Sequence, residues 1–369
     1  MDPSKKYTTI HYDSYLQLSK LLDAQHPRSG EFEKAAHEET LFIIVHQVYE
    51  LWFKQSLHEI ESVCDMFRGD NLDEKNIGSA VSRLDRVERI LKLMIQQIEV
   101  LESMTPLDFL DFRNYLFPAS GFQSFQFRNI EALLGLEEKQ RITYNGHSYK
   151  IVFTDEQKEA LEKIEKGGSL FELVESWLER IPFLDNPEFK FLESYQLAVE
   201  KMLEKEKAAI EKTDYLSDKM KKMRIDMLGN TNTYFKHVLL EEEHDKLRES
   251  GEVRLSYKAT LSALFINLYR EMPILQLPFR LIMNLVDIDS LLTTWRYRHA
   301  QMVKRMIGNK VGTGGSSGHG YLIETAEKHK IFHDFHNISS LLIPRSELPV
   351  LPDSFEQSLG FFFSHSKES

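Results

Sequence analysis

Apolar residues recur at helical spacing along most of the chain, and this pattern restricts the fold more than any other feature. From 36 to 67 they follow three- and four-residue steps, as Leu41 and Trp52 illustrate. Similar patterns predict a second long helix from about 73 to 101 and buried central helices between 257 and 303. The sequence therefore predicts an all-α fold with a helical bundle as its core.

The distribution of charge divides the chain into four parts. An N-terminal segment, 1–35, precedes a helical core that we place at 36–135 and 252–345, and a tail occupies 346–369. Helices rich in Glu and Lys fill 136–251, which we interpret as a peripheral insertion with a solvated outer face. Near its start, the run RITYNGHSYKIVF predicts a β-hairpin, because its Asn-Gly pair suits a tight turn.

Composition argues against several classes of protein. Lys and Arg total 46 against 57 Asp and Glu, a net charge of -11, so no basic field attracts nucleic acid. Cys64 is the only cysteine, which excludes an intramolecular disulfide and suits a reducing compartment. The first residues lack the apolar run of a signal peptide, and no later run is long enough to span a membrane. We expect an acidic, soluble, cytoplasmic protein.

The richest local signal lies between Trp295 and Leu322, in WRYRHAQMVKRMIGNKVGTGGSSGHGYL. Its helical part carries His299, whose imidazole could hold a metal or a cofactor. The GTGGSSG loop that follows offers backbone N–H groups and hydroxyls, among them that of Thr313, to a small charged ligand. Taken alone, the glycines also fit a flexible surface turn, and His299 fits a buried structural histidine.

Two further segments carry residues that suit an aromatic ligand with a charged end. In HEETLFIIVHQVYELWFKQ, His46 lies one helical turn after Phe42, which suits either an apolar pocket with one hydrogen-bonding group or a core histidine. In LDFLDFRNYLFPASGFQSFQFRNIE, Phe109 and Arg113 share a helical face, and Arg113 is shaped to bind a carboxylate bidentately.

The remaining candidates each allow a purely structural explanation. Ser120 suits a helix N-cap, and Arg128 suits a surface charge. Glu241 and His244 form one Glu-x-x-His element, but di-iron bundles need two, and the surrounding run predicts a solvated face. Three apolar residues near the N-terminus either pack within the chain or dock on a neighbouring subunit: Tyr12, Tyr15 and Leu16.

Taken together and in this order, these segments resemble the tryptophan 2,3-dioxygenase family. The matching stretches are HYDSYLQLSKLLDAQ, LFIIVHQVYELWFKQ, ASGFQSFQFRNIE, LSYKATLSALFINLYRE, DIDSLLTTWRYRH, MVKRMIGNKVGTGGSSGHGYL and FHNISSLLIPRSELP. They extend over nearly the whole chain, least clearly over the charged insertion. The length resembles that of the longer, animal-type members rather than that of the compact bacterial ones.

The resemblance implies that the helical core houses heme b, one per subunit, and that the protein is a homotetramer built as a dimer of dimers. By motif position, His299 would be the axial ligand of the heme iron, and Trp295 would pack near the heme. Ser120 and Arg128 would lie at the heme edge, with Arg128 near a propionate.

The resemblance also implies L-tryptophan and O2 as substrates. Both oxygen atoms would be inserted across the indole C2–C3 bond to give N-formyl-L-kynurenine, the first step of tryptophan catabolism by the kynurenine pathway. Two alternatives stay open at this point. One is a relative that oxygenates another indole or uses peroxide on an aromatic amino acid, and the other is a non-catalytic heme-binding or scaffold protein.

In the implied substrate site, Phe42 and Phe109 would enclose the indole. His46 would be the catalytic-site histidine that accepts the indole N–H, positioning the ring rather than acting as an obligatory base. Arg113 would pair with the substrate carboxylate, and Thr313 would contact the carboxylate and the ammonium group. The residues that would reach in from the neighbouring subunit are Tyr12, Tyr15 and Leu16.

Overall fold

The computed structural model describes residues 9–69, 75–143, 148–313 and 318–361. Within these ranges the chain is helical and has no β-strand, so the predicted all-α class is confirmed. The α-helices in chain order are α1 Tyr12–Leu16, α2 Leu18–Leu22, α3 His37–Phe67, α4 Lys75–Glu102, α5 Pro106–Arg113, α6 Phe125–Leu134, α7 Asp155–Lys166, α8 Leu170–Glu179, α9 Phe191–Lys212, α10 Asp218–Leu239, α11 Glu241–Ser250, α12 Tyr257–Leu268, α13 Gln276–Ile307, α14 His319–Lys328, α15 His333–Asn337 and α16 Asp353–Ser358. None of the described helices combines the length and the apolar character that crossing a bilayer requires.

The three longest helices, α3, α4 and α13, form the centre of the bundle. Helix α13 lies along α4 and α14, while α3 lies along α4 and α6. Their facing side chains, among them Ile60, Leu84 and Leu285, are 0% exposed. Burying each such side chain stabilises the fold by about 1.5–3 kcal/mol relative to leaving it in water. This packing fixes the rotation of α3 and α13, and therefore the direction of their remaining side chains.

Local capping signals determine where the shorter helices begin. Thr105 caps α5: its Oγ1 accepts from the Asp108 N–H at 3.3 Å, and the Asp108 carboxylate accepts from the Thr105 N–H at 3.0 Å. Helix α6 begins at Phe125. The reason is that the Ser124 hydroxyl accepts from the Phe127 N–H and caps the helix there.

Helices α7 to α11 occupy the segment that the sequence assigns to an insertion. Helix α8 packs against α3 and α12, and its Phe171 and Trp177 belong to the main apolar core. By contrast, the described residues of α10 are buried only near its end, at Phe235, Val238 and Leu239. The exact domain boundaries at either end of this segment stay predictions.

The sequence predicts a β-hairpin at the start of this segment, and this prediction is wrong for the described residues. Positions 141–143 form no strand, Tyr149–Val152 forms a 3-10 turn, and the Asn145-Gly146 pair lies outside the described residues. Tertiary contacts explain the difference. The Tyr149 ring lies 4.1 Å from the Arg141 guanidinium, and its hydroxyl donates to the Glu165 carboxylate of α7 at 2.7 Å.

The sequence predicts that His244 lies on a solvated face, and this prediction is also wrong. Its side chain is fully buried, with Nδ1 3.2 Å from the Val238 carbonyl oxygen and Nε2 2.9 Å from that of Leu255. Among the described residues, no group of three or more His, Cys, Asp or Glu side chains is placed so that it could hold a metal ion.

Candidate active site

A cavity of about 310 Å³ lies between α3, α5, α13 and the start of α14. Most of its lining is apolar or aromatic, which suits a small-molecule site. The residues that the sequence singles out and that line it are Phe42, His46, Phe109, Arg113, Ser120, Arg128, Trp295, His299 and Thr313. The fold therefore brings four separate segments of the chain to one place.

His299 projects into this cavity from α13. The Trp295 ring, one turn earlier, stacks on it with centroids 5.5 Å apart and planes 27° apart. Burial and, to a lesser degree, the nearby His46 lower the pKa of His299 to about 4, so its imidazole is neutral at neutral pH. No hydrogen bond to this imidazole is found within the part of the chain that the structure describes. A neutral imidazole of this kind has a lone pair available for a metal ion.

His46 faces the same cavity from α3. Its Nδ1 lies 2.7 Å from the Phe42 carbonyl oxygen. Because a carbonyl can only accept, Nδ1 carries the proton and Nε2 is left as an acceptor. Burial lowers the pKa of His46 more than the Phe42 hydrogen bond and the Glu50 charge raise it, so the imidazole stays neutral.

An aromatic wall stands beside His46. The Phe42 ring lies 4.1 Å from the His46 ring and 5.7 Å from the Phe109 ring, centroid to centroid. Phe112, which is fully buried, supports both phenylalanines from behind at 5.5 Å and 5.3 Å. These rings form one side of a slot suited to a flat apolar group.

Arg113 supplies a positive charge at this side of the cavity. It ends α5, and its Nη2 donates to the carbonyl oxygen of Val311 on the segment after α13. Among the described residues it forms no ion pair, so its charge is not neutralised by a protein carboxylate. Thr313 also lines the cavity, whereas the rest of the predicted loop, residues 314–317, lies outside the described residues.

Ser120 and Arg128 lie close together in the sequence, and both line the cavity. Their contacts differ. Ser120 is the N-cap of the 3-10 turn Gly121–Gln123, so the structural role considered for it is confirmed. Arg128 is only 8% exposed, so the surface charge considered for it is wrong. Instead, its Nη1 donates to Oε2 of the buried Glu131 at 2.7 Å.

Glu131 is the centre of a buried charged group. Its carboxylate binds Arg128 at 2.7 Å, Arg141 at 2.6 Å and Arg296 at 2.8 Å, and His329 Nδ1 lies 3.6 Å away. We call these five residues the Glu131 cluster. Burial alone would raise the pKa of the Glu131 carboxyl, but the arginines and His329 outweigh it and hold that pKa well below its usual range.

The Glu131 cluster has more positive than negative charge. Burial lowers the pKa of His329 and keeps that imidazole neutral, so three guanidinium groups share a single carboxylate. The cluster therefore has an excess of two positive charges. Arg128, Glu131, Arg296 and His329 all line the cavity, which makes this part of the wall suitable for anionic groups.

The predicted N-terminal residues lie elsewhere. Tyr12, Tyr15 and Leu16 are on α1 and are 71%, 70% and 40% exposed. They do not line the cavity of their own subunit.

A family model described as tryptophan 2,3-dioxygenase matches residues 3–342. The chain belongs to the tryptophan 2,3-dioxygenase family. It is 49% identical to the tryptophan 2,3-dioxygenase of Bdellovibrio bacteriovorus over 97% of this chain and 100% of that protein. It is 44% identical to that of Dictyostelium discoideum, over 99% of this chain and 91% of that protein. For tryptophan 2,3-dioxygenase B of Danio rerio, the identity is 45% over 93% and 84%. The full-length bacterial match shows that chains of this length are not restricted to animals.

Members of this family are heme-dependent dioxygenases. The residues present here fit that group. The cavity is mostly apolar, its His299 imidazole is neutral and unbonded within the described residues, and the Glu131 cluster leaves two positive charges in excess. An apolar macrocycle with anionic substituents needs these three features.

Most members of the Glu131 cluster were not predicted from the sequence. Glu131 lies three residues after Arg128, a spacing that allows an ion pair on one helix, and this signal was available. Arg296 and His329 come from segments far from Glu131 in the chain, and Arg141 lies ten residues after Glu131, beyond the end of α6, so the convergence of these side chains follows only from tertiary packing.

Proposed function

We propose that the chain is an enzyme that inserts both atoms of O2 across the indole C2–C3 bond of L-tryptophan, giving N-formyl-L-kynurenine. The observation that supports this most is the combination, in one cavity, of a neutral His299, an aromatic slot and an unneutralised Arg113. A scaffold protein has no need for a site with both an apolar slot and a free cation.

The proposed cofactor is heme b, one per subunit. His299 would hold the iron through its free imidazole lone pair, with the Trp295 ring stacked against that ligand. When bound, heme supplies the iron centre that activates O2. Heme b has two propionates, and their charge matches the two excess positive charges of the Glu131 cluster. Arg128 is the member of the cluster that we assign to a propionate, and we assign Ser120, which lines the same cavity, to the heme edge.

The substrate indole would occupy the slot formed by Phe42 and Phe109. Its N–H would donate to His46 Nε2, which is an acceptor because Nδ1 donates to the Phe42 carbonyl. This hydrogen bond would orient the indole ring within the slot. The role of His46 is therefore to position the substrate rather than to remove a proton.

The charged end of L-tryptophan would bind Arg113 and Thr313. Arg113 can form two parallel hydrogen bonds with a carboxylate, and Thr313, which lines the same cavity, offers a hydroxyl. Arg113 ends α5 and donates to the Val311 carbonyl oxygen, and Thr313 lies two residues after Val311. Substrate binding would exchange a hydrogen bond to this neutral group for a charge-assisted pair.

The exposed apolar residues of α1, Tyr12, Tyr15 and Leu16, would complete the substrate site of a neighbouring subunit in a homotetramer. These residues follow one another at helical spacing on α1 and are exposed in a single chain, which supports this, because a contiguous exposed apolar patch marks an interaction surface. The single cysteine, Cys64, is buried and suits a reducing compartment, so we also propose that the enzyme acts in the cytoplasm.

A spectroscopic assay tests the proposed function. Purified protein supplied with hemin should show a strong Soret band, and L-tryptophan should shift the band in the reduced, anaerobic sample. Admission of air should then produce the absorbance of N-formylkynurenine. Tryptamine, which lacks the carboxylate, is the matched control and should react far more slowly. Absence of product from L-tryptophan in the hemin-loaded protein would contradict the proposal.

A further inference from the structure

We propose that Glu131 is a positioning residue for heme, which holds the cation-rich wall of the cavity in place and couples it to the helix that carries His299. This inference rests on the proposed function. Glu131 touches neither iron nor substrate in this scheme. It acts through the arginines that surround it.

The contacts of Glu131 occupy both of its oxygens. Oε2 accepts from Arg128 Nη1 at 2.7 Å and from Arg141 Nη1 at 2.6 Å, and Oε1 accepts from Arg296 Nη2 at 2.8 Å. Glu131 is 0% exposed, and the three arginines are between 3% and 8% exposed. Although Glu131 lines the cavity, its oxygens are already engaged, so the arginines determine what this wall binds.

The charge of Glu131 keeps the arginines together. Within the described residues it is the only carboxylate in ion-pair contact with Arg128, Arg141 or Arg296. Three guanidinium groups that share one buried location repel one another strongly, because solvent screens them little. Without the carboxylate we expect the arginines to move apart. The cavity wall would then lose the fixed positions of its guanidinium groups, and not only become more positive.

Arg296 connects this wall to the proposed iron ligand. It lies on α13, three residues before His299, so both side chains project from neighbouring positions of one helix. Arg296 also donates to the His329 carbonyl oxygen at 3.1 Å, which joins α13 to the segment after α14. The bond from Arg296 to Glu131 therefore limits rotation of α13 about its axis at the turn that carries His299.

The experiment compares hemin with hemin dimethyl ester, whose propionates carry no charge, in wild-type protein, Glu131→Gln and Glu131→Asp. The matched control is Glu59→Gln. Glu59 is also buried and binds an arginine, Arg86, at 2.6 Å, but it lies outside the cavity. The two measurements are the ratio of the dissociation constants for ester and acid, and the iron–imidazole stretching band of the reduced protein by resonance Raman.

In wild-type protein we expect hemin to bind at least tenfold more tightly than its ester, a ratio that reflects the arranged arginines. Glu131→Gln should bring the ratio close to one and should shift or broaden the iron–imidazole band, whereas Glu59→Gln should change neither. Glu131→Asp keeps the charge but reaches fewer arginines, so its ratio should be intermediate.

The outcomes separate positioning from mere neutralisation. If Glu131 only cancels charge, its replacement by Gln makes the wall more positive, and the ratio rises; an increased or unchanged ratio overturns the inference. If Glu131→Gln does not fold, the Asp variant decides, and a wild-type ratio with an unshifted band in that variant counts against us. Failure of the wild-type protein to bind either compound would instead overturn the proposed function.

Discussion

Two arginine sites on the wall of one cavity are built in opposite ways. Arg113 is tied to a neutral acceptor, the carbonyl oxygen of Val311, and pairs with no carboxylate among the described residues. In the Glu131 cluster, three guanidinium groups share one carboxylate at 2.6–2.8 Å, and every side chain is almost completely buried. We relate this difference to how long each proposed ligand stays bound. The Arg113 site would receive a substrate that leaves, and the Glu131 cluster would face a cofactor that stays.

The energies of the two arrangements support this contrast. A hydrogen bond to a neutral carbonyl has a net value of about 0.5–1.5 kcal/mol, so Arg113 can release it readily when a carboxylate arrives. Removal of one partner from a buried ion pair costs about 3–5 kcal/mol, because a charge is left without a partner in a medium of low polarity. The Glu131 cluster is therefore a fixed part of the fold, whereas Arg113 can change partners.

The largest effect on stability is expected at the Glu131 cluster. Glu131→Gln should lower the free energy of unfolding by about 3–5 kcal/mol, since the arginines lose their counter-ion. Arg113→Gln should change it by less than about 1 kcal/mol, because the Val311 bond is a single neutral contact. Urea denaturation followed by circular dichroism measures both. Similar losses in the two variants would show that the sites do not differ in the way the contacts indicate.

The next largest effect concerns substrate binding. Arg113→Ala should raise the KM for L-tryptophan roughly a hundredfold, which corresponds to about 3 kcal/mol of lost charge-assisted hydrogen bonding. Arg113→Lys keeps the charge but not the parallel pair of donors, so its KM should lie between those of the Ala variant and the wild type. Hemin uptake should be unchanged in both variants. A wild-type KM in Arg113→Ala would remove this residue from the substrate site.

Much of the fold could be predicted from the sequence, because helical periodicity is a local property. The positions of α3 and α4 follow from their apolar spacing, and the start of α5 follows from the hydroxyl of Thr105 before Pro106. The hairpin prediction failed because an Asn-Gly pair signals only a local turn. The burial of Tyr149 against Arg141 is a tertiary contact that such a signal does not contain.

The site was predictable from the sequence where its residues share one helix. His299 with Trp295, and Phe109 with Arg113, each share a helix, and all four line the cavity. Most of the Glu131 cluster was not predictable, since Arg296 and His329 come from distant segments and Arg141 lies beyond the end of α6. A sequence alone cannot distinguish an arginine on the surface from one that packs inside, which is why a surface charge remained one of the two interpretations of Arg128 until its burial was known.

A smaller effect, visible only as pH falls, is expected at His46. Burial lowers its pKa below the ordinary 6.5, so Nε2 remains an acceptor at pH values where an exposed histidine is already protonated. As pH falls through this lowered pKa, Nε2 gains a proton and can no longer accept the indole N–H. The KM for L-tryptophan should therefore rise only below pH 6.5. 1-Methyltryptophan, which lacks the N–H, should show a weaker pH dependence. A rise in KM centred at or above pH 6.5 would contradict the lowered pKa.

The smallest effect is expected at the cap of α5, the helix that carries Phe109 and Arg113. Thr105→Ala removes the side chain that bonds the Asp108 N–H and should lower stability by about 1 kcal/mol. The bonds from Thr105 lower the pKa of Asp108, so this pKa should rise in the variant, which carboxyl NMR can follow. The KM for L-tryptophan should increase a few-fold at most, with hemin affinity unchanged.

Since α5 and the Glu131 cluster share no member, the stability losses of Thr105→Ala and Glu131→Gln should add in the double variant. A clear departure from additivity would mean that the two arginine sites are mechanically coupled, and the separation between an exchangeable and a permanent site would then have to be abandoned.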